Sequence, residues 1–152
     1  MAPDDLRELD DLYQDVILDH FRSPRNNGLL DNPDLKGEGY NPFCGDRVVL
    51  TAGLDGSERI QNVGIWGEGC VISQSSASVM GELLKRRTLD DAQALLSRFK
   101  EVMQGGTLTE AEKDAMGELA ALEGVKKFPI RVKCALLAWT TLQDAIAEYR
   151  KG

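Results

Sequence analysis

Histidine and cysteine are scarce in this chain. Its 152 residues include one histidine, His20, and three cysteines, Cys44, Cys70 and Cys134. Three cysteines are an odd number and too few for the disulfide framework of a small secreted protein. In a reducing compartment such thiols serve as metal ligands, as nucleophiles or as inert core side chains. The lone histidine has no serine nucleophile motif in the sequence, so a hydrolase triad is not indicated.

Basic residues and long apolar runs are also lacking. Eighteen Lys and Arg against 25 Asp and Glu give a formal net charge of −7. Nucleic-acid binding depends on Lys and Arg that meet phosphates, so the charge disfavours that partner and suits a basic protein better. No apolar run approaches the roughly 18 residues of a membrane span. Residues 1–15 are acidic, unlike a targeting segment, so we expect a cytoplasmic protein without a membrane partner.

Hydrophobic periodicity predicts an N-terminal helix followed by a loop and a hairpin. Apolar residues recur at helical spacing over residues 5–22, and a Ser-Pro pair ends that helix. Residues 23–43 hold three prolines and three glycines and predict an extended loop. The strand-like runs 47–54 and 59–66 flank an Asp-Gly turn and predict a β-hairpin. Whether the loop contributes a third strand stays open.

Four more helices are predicted after the hairpin. They cover residues 71–87, a stretch from Thr88 to the Gly-Gly pair at 105, a capped stretch from Thr109 to Gly124, and the region after Pro129. Small serines at the start of the first of these suit a backbone packed beside a metal or a partner. No repeat or linker divides the chain. We therefore expect one α+β domain over residues 1–152, with a small antiparallel sheet of two or three strands packed against about five helices.

One turn-rich stretch, Asn41–Asp46, places a thiol two residues from a carboxylate. The glycine between them permits a tight turn, so both side chains can converge on one point. The hairpin returns Cys70 towards Cys44, and a helix that begins at Cys70 favours its thiolate. Cys134 lies in the first turn or so of the last helix. Three thiols and one carboxylate match the four-ligand sites of zinc, which predicts a metal site. Its ligands are Cys44, Asp46, Cys70 and Cys134.

The predicted ligands would leave an excess of negative charge around a divalent metal. Arg47 and Lys133 each neighbour a ligand, and Arg131 lies close by in the sequence. These cations either offset the charge or are solvated surface residues. A carboxylate oxygen exchanges more readily than a thiolate, which indicates a site that opens. The alternative from the residues alone is a metal-free interaction domain with reduced core cysteines, and His20 is most simply a hydrogen-bonded structural side chain.

Four motifs, in order, resemble the U-type iron–sulfur cluster assembly proteins. The first is similar to the opening of that family, and the other three are similar to its metal-site segments. The resemblance covers nearly the whole chain. The motifs are Leu12-Tyr13-Gln14 with Asp19-His20-Phe21, Pro24-Arg25-Asn26 and Gly28; Asn41-Pro42-x-Cys44-Gly45-Asp46; Gly67-x-Gly69-Cys70-x-Ile72-Ser73; and Lys133-Cys134-Ala135-x-Leu137-x-Trp139.

Within that family the chain resembles the SufU type rather than the scaffold IscU. Scaffolds of the IscU type have a histidine immediately before the third cysteine, where this chain has Lys133. Proteins of the SufU type carry an additional segment between the second and third cysteines. Here 63 residues separate Cys70 from Cys134, and the helix near Thr109–Glu123 is the expected insertion.

The resemblance implies a zinc-dependent sulfurtransferase of the SUF system. It would accept persulfide sulfur from a SufS-like cysteine desulfurase onto Cys44, its catalytic residue, in a step analogous to thiol–disulfide exchange. By the same resemblance, a histidine of the desulfurase replaces Cys44 on zinc while Asp46, Cys70 and Cys134 hold the metal. Downstream iron–sulfur scaffold proteins are further expected partners.

The alternative function under the same resemblance is a scaffold. Such a protein assembles and transfers a [2Fe–2S] cluster on the same three thiolates, with Asp46 as the fourth ligand. Lys133 in place of the histidine weighs against this alternative. For contact with the desulfurase, the candidates from the sequence are Arg25 and the loop before Cys44.

Overall fold

The computed structural model describes residues 14–152 and confirms the predicted α+β class. Within that range, a three-stranded antiparallel sheet packs against five α-helices. None of these helices is long and apolar enough to cross a membrane. Residues 5–13 of the first predicted helix lie outside the described residues. The elements are α1 (Asp15–Arg22), β1 (Leu35–Asn41), β2 (Asp46–Leu54), β3 (Ile60–Glu68), α2 (Val71–Leu84), α3 (Leu89–Met103), α4 (Glu110–Met116), a 3₁₀ segment (Gly117–Lys127) and α5 (Pro129–Lys151).

The sheet contains the predicted hairpin and one further strand. β2 and β3 pair antiparallel, and Asp55 closes their turn by accepting the backbone N–H groups of Ser57 and Arg59. β1 forms within the predicted loop and pairs with β2 from Leu35 opposite Ala52 to Asn41 opposite Asp46. The third strand thus places the amide side chain of Asn41 next to Asp46 of the predicted metal site.

The central strand β2 is buried on both faces. Val48, Leu50 and Ala52 belong to the hydrophobic core, where α5 packs on β1 and β2 while α2 packs on β3. The loop after α1 covers the other face: the N–H of Leu30 donates to Thr51 Oγ1 at 3.0 Å. Burial on both faces holds β2 firmly. Asp46, the predicted ligand that begins this strand, is therefore held as well.

Two serines of α2 form hydrogen bonds to the helices that pack on it. Ser75 donates to the Ile17 carbonyl in α1, and Ser76 donates to the Ala135 carbonyl in α5 at 2.6 Å. Both are fully buried. Their small size therefore lets α1 and α5 pack closely on α2.

His20 is fully buried and hydrogen-bonded. Its Nδ1 lies 2.7 Å from Ser78 Oγ in α2, and its Nε2 lies 2.9 Å from Glu118 Oε1 in the 3₁₀ segment. Ser78 Oγ also accepts the backbone N–H of Arg25 at 2.9 Å. The structural interpretation of the lone histidine agrees with these contacts, which join three separate parts of the fold.

The region predicted as one helix from Thr109 to Gly124 divides into two parts. The capping box is present, because Thr109 Oγ1 accepts the Glu112 N–H while the Glu112 carboxylate accepts the Thr109 N–H. The α-helix ends at Met116, and Gly117 follows with φ of 55°. Beyond it the buried side chains are Leu119, Leu122 and Val125. A spacing of three residues aligns side chains on a 3₁₀ helix, so this prediction was wrong after Met116.

Gly39 lies where β1 crosses α5 at close range. A Cβ at this position would overlap Thr141 Oγ1 and lie 3.1 Å from Leu137 Cδ1. We predict that Gly39→Ala lowers the free energy of unfolding by about 1–3 kcal/mol, as overpacking does. Urea denaturation measures the change. Gly56→Ala in the hairpin turn is the control, because no atom lies within 4 Å of a Cβ there. Equal losses in the two variants would contradict this packing.

The Arg98–Glu112 ion pair fastens α4 to α3. Two guanidinium N–H groups of Arg98 donate to the Glu112 carboxylate at 2.6 and 2.9 Å. This contact, with the Thr109 N–H, lowers the pKa of Glu112 from 4.5 to about 2. As the pH falls, Glu112 is therefore protonated in the unfolded chain before it is protonated in the folded chain. The stabilisation from the ionised Glu112 is complete above pH 4.5 and is lost as the pH falls towards 2.

We predict that Glu112→Gln flattens the acid limb of the stability–pH curve over that window. Glutamine keeps the capping box, so the change isolates the charge. The measurement is the urea midpoint at several pH values. Glu110→Gln, at a side chain that is 91% exposed, is the control and should retain the slope of the unmodified chain. A slope that is also retained in Glu112→Gln would contradict the assignment.

Candidate metal centre

The four predicted ligands come from three junctions of the fold. Cys44 lies in the turn between β1 and β2, and Asp46 begins β2. Cys70 is the N-cap of α2, and Cys134 lies in the second turn of α5. Gly45 has φ of 67°, a left-handed conformation that allows the tight turn between Cys44 and Asp46.

Three of these residues form a compact group. The ligand atoms of Cys44, Asp46 and Cys134 all lie within 4.8 Å of one another, and residues 14–152 hold no other such group. Cys134 Sγ is 3.2 Å from Cys44 Sγ. Asn41 Nδ2 lies 3.3 Å from Asp46 Oδ2 and 3.6 Å from Cys134 Sγ. A single cation could therefore meet three donors here.

Cys70 lies beside this group rather than within it. Its Sγ is 3.8 Å from Asp46 Oδ2 and accepts the Ser73 N–H at 3.4 Å, as the N-cap of α2. Its own backbone N–H donates to Asp46 Oδ1 at 2.8 Å. The start of α2 is thus tied to the carboxylate, and the role of Cys70 as a fourth ligand stays a prediction.

Asp46 is fully buried, and the chain around it accommodates the carboxylate closely. Burying a carboxylate is costly unless it is hydrogen-bonded, and here Cys70 and Asn41 supply donors. A Cβ at position 69 would lie 2.8 Å from Asp46 Cα and still closer to the carboxylate. Gly69 also has φ of 140°, so glycine is required both for its conformation and for the space.

The buried Cys134 thiol is poorly suited to ionise without a cation. Burial, followed by hydrogen bonds with Cys44 and Asp46, raises the pKa of Cys134 far above its ordinary value. A divalent metal reverses this preference, because it favours the thiolate over the thiol. Soft sulfur donors with one carboxylate fit the ligand preferences of zinc. The donor set therefore suits zinc.

Of the three cations considered from the sequence, Arg131 alone contacts a candidate ligand. Its Nη1 lies 3.8 Å from Cys44 Sγ. Partial burial lowers the pKa of Arg131, but the hydrogen bond with Cys134 and the nearby thiol charges outweigh burial and raise it. Lys133 instead places Nζ over the Phe43 ring, 4.9 Å from its centroid. Arg47 pairs with Glu38 at 2.6 Å and points away to the sheet surface.

Asn41 is the site residue to which sequence reasoning assigned no role. Its side-chain amide lies between Asp46 and Cys134 and contacts both. The pairing of β1 with β2 places Asn41 directly opposite Asp46, and this register would have identified Asn41 as a site residue. That register depends on β1, the strand that the sequence left open.

Comparison with known proteins identifies the family. Residues 12–135 match the family described as NifU-like N terminal domain. The zinc-dependent sulfurtransferase SufU of Bacillus subtilis (strain 168) is 40% identical over 144 residues, which cover 95% of each chain. The iron–sulfur cluster assembly scaffold protein IscU of Streptococcus pyogenes serotype M1 is 38% identical over 141 residues, covering 93% of this chain and 86% of that one.

Solved structures agree with the sequence relatives. A crystal structure described as an iron–sulfur cluster assembly scaffold protein for the SUF system, from Fervidobacterium islandicum AW-1, superposes with a TM-score of 0.82 at 33% identity. It covers 90% of this chain and 98% of its own. The N-terminal NifU-like protein of Brucella abortus shares the fold, with a TM-score of 0.84 at 21% identity. These matches confirm the resemblance found in the motifs: the chain belongs to the NifU-like N-terminal domain family of iron–sulfur cluster assembly proteins.

Proposed function

We propose that the chain is a zinc-dependent sulfurtransferase of the cytoplasm, which accepts sulfur from a cysteine desulfurase onto Cys44 for iron–sulfur cluster assembly. The observation that carries this proposal is the unequal exposure of two adjacent thiols. Cys44 is half-buried beside Arg131, whereas Cys134, 3.2 Å away, is fully buried. Cys44 can therefore be reached by a sulfur donor while Cys134 remains buried. The name of the B. subtilis relative supports the same function.

We infer that zinc is held by Cys44, Asp46, Cys70 and Cys134. The compact group supplies three of these donors, and Cys70 is the nearest further thiol, bonded through its backbone to Asp46. When bound, zinc would keep the thiols in the thiolate form and protect them from oxidation. The buried pair, Asp46 and Cys134, anchors the site, because neither side chain can leave without unmaking contacts inside the core.

The transfer step exchanges one sulfur–sulfur bond for another. The Cys44 thiolate attacks the terminal sulfur of the donor's persulfide, and a new bond forms between these two sulfur atoms. The bond to the donor cysteine breaks, and that cysteine departs as a thiolate with the electron pair. Cys44 then carries the persulfide, with no net change of oxidation state. Arg131 lies close enough to Cys44 Sγ to favour the negative charge on the attacking sulfur.

A scaffold function is the second candidate, because the S. pyogenes relative at 38% identity bears that name. The same four residues would then hold a [2Fe–2S] cluster. The two candidates differ in colour and metal. Colourless protein with about one zinc per chain supports the sulfurtransferase, whereas brown, iron-containing protein supports the scaffold.

We predict that Asp46→Ala reduces the zinc content of the purified chain well below one per molecule. The variant loses the buried oxygen donor and the acceptor that fixes Cys70. Elemental analysis after gel filtration measures the metal, and thermal unfolding before and after a chelator measures its effect on stability. Asp114→Ala, at an exposed position, is the matched control and should retain the metal. Zinc retention equal to that of the control would remove Asp46 from the site.

We predict that Cys44→Ser abolishes sulfur acceptance while the protein still folds. The hydroxyl is a far weaker nucleophile than the thiolate, and the half-buried position tolerates the smaller atom. Cysteine desulfurase turnover with L-cysteine is measured with and without each form of the chain. Mass spectrometry of the unmodified chain should show an added sulfur on Cys44. Undiminished transfer by the variant, with its circular dichroism unchanged, would reject the assignment.

A further inference from the structure

Two exposed apolar residues directly precede Cys44 and its contact residue Arg131 in the sequence. Phe43 immediately precedes it and is 79% exposed, and Ile130, 71% exposed, precedes the Arg131 that contacts Cys44 Sγ. Single exposed apolar residues are ordinary, but neighbouring ones mark interaction sites. The exposed large apolar residues in the described part of the chain are Phe21, Leu29, Tyr40, Phe43, Trp66 and Ile130.

Phe43 stands as a ridge between two clefts. One cleft, of about 220 Å³, is lined by Phe43, Pro129, Ile130 and Lys133. The other, of about 430 Å³, shares Phe43 and Lys133 and extends to Tyr40. We call Tyr40, Phe43, Pro129, Ile130 and Lys133 the Phe43 surface. Its shape, an exposed ring flanked by two hollows, suits interdigitation with side chains of another protein.

Two contacts at Phe43 and the start of α5 favour this arrangement of the Phe43 surface. Lys133 Nζ lies over the Phe43 ring at 4.9 Å, and the Phe43 N–H donates to Asn41 Oδ1 at 3.3 Å. Pro129 is the first residue of α5, where its fixed φ begins the helix that carries Ile130 and Lys133. Apolar groups that are already ordered lose little entropy on binding, which is the character of an interface hot spot.

The charge of this surface is opposite to that of the whole chain. The net charge is −7, yet neither cleft is lined by an Asp or a Glu, and both contain Lys133. A symmetric contact with a second copy would bring like charges together, which disfavours that occupant. A partner with apolar side chains and a carboxylate complements the surface. The basic partner favoured by the net charge does not suit this part of the molecule.

We propose that the Phe43 surface is the docking site of the sulfur donor, which places a bulky apolar side chain between Phe43 and Ile130 and a carboxylate on Lys133. The proposal rests on the proposed function. A donor that forms a bond with Cys44 Sγ approaches the turn that also carries the exposed Phe43. Arg25, the other candidate from the sequence, is held by Asp19 and by the Ser23 carbonyl.

Three alanine variants test the apolar part of this surface. The affinity of the unmodified chain and of Phe43→Ala, Ile130→Ala and Leu29→Ala for a purified cysteine desulfurase is measured by calorimetry. Leu29 is the control, because it is 50% exposed and lies far from the site. The N–H of its neighbour Leu30 donates to Thr51, which is five residues along β2 from Asp46. Five strand residues separate Thr51 from Asp46 by about 17 Å. We expect the first two variants to weaken binding about tenfold or more and the control less than twofold.

A second pair of variants tests the charge. Lys133→Gln should weaken binding and reduce its dependence on salt, whereas Lys151→Gln, at the far end of α5, should retain both. Zinc content is measured in parallel, because Lys133 neighbours Cys134.

The outcomes separate the docking site from the function. Affinities of Phe43→Ala and Ile130→Ala equal to that of Leu29→Ala would overturn the docking site, even where the unmodified chain accepts sulfur. Weakened binding in these variants without sulfur transfer by the unmodified chain would support the surface and reject the function. Absence of any binding by the unmodified chain would overturn both.

Discussion

The buried carboxylate of Asp46 is the interaction on which the site depends. Its Oδ1 accepts the N–H of Cys70, and its Oδ2 lies near Asn41 and the Cys70 thiol. The carboxylate thereby joins the start of β2 to the start of α2 and to the last residue of β1. Gly69 leaves it the room it needs. Because β2 is buried on both faces, this carboxylate is held by the most constrained strand of the sheet.

The three thiols therefore have unequal freedom although they lie close together. Cys134 is enclosed by the core, and Cys70 is fixed through its backbone and by the cap it gives to α2. Cys44 lies in a turn at the surface, between an exposed aromatic ring and a guanidinium group. With Asp46 and Cys134 as buried anchors and Cys70 fixed through its backbone, the site can expose the Cys44 nucleophile without dispersing its remaining donors, which is the basis of the proposed sulfur transfer.

Much of this arrangement could be predicted from the sequence. Periodicity and turn residues indicated the hairpin and most helices, and the spacing of thiols and carboxylate indicated the candidate ligands. The third strand was not settled, because β1 (Leu35–Asn41) contains two glycines and no β-branched residue. Its glycines fit beneath Thr141 of α5, a contact between residues a hundred positions apart. Such long-range packing leaves no local pattern, and the role of Asn41 was missed for the same reason.

We propose that one oxygen from Asp46 and three cysteine sulfurs bind a single zinc ion. X-ray absorption at the zinc edge, on the purified chain of 152 residues, tests it most directly. We expect three sulfur neighbours at about 2.3 Å and one oxygen neighbour at about 2.0–2.2 Å. The oxygen signal should disappear in Asp46→Ala. A zinc ion without an oxygen neighbour, or with fewer than three sulfurs in the unmodified chain, would contradict this coordination.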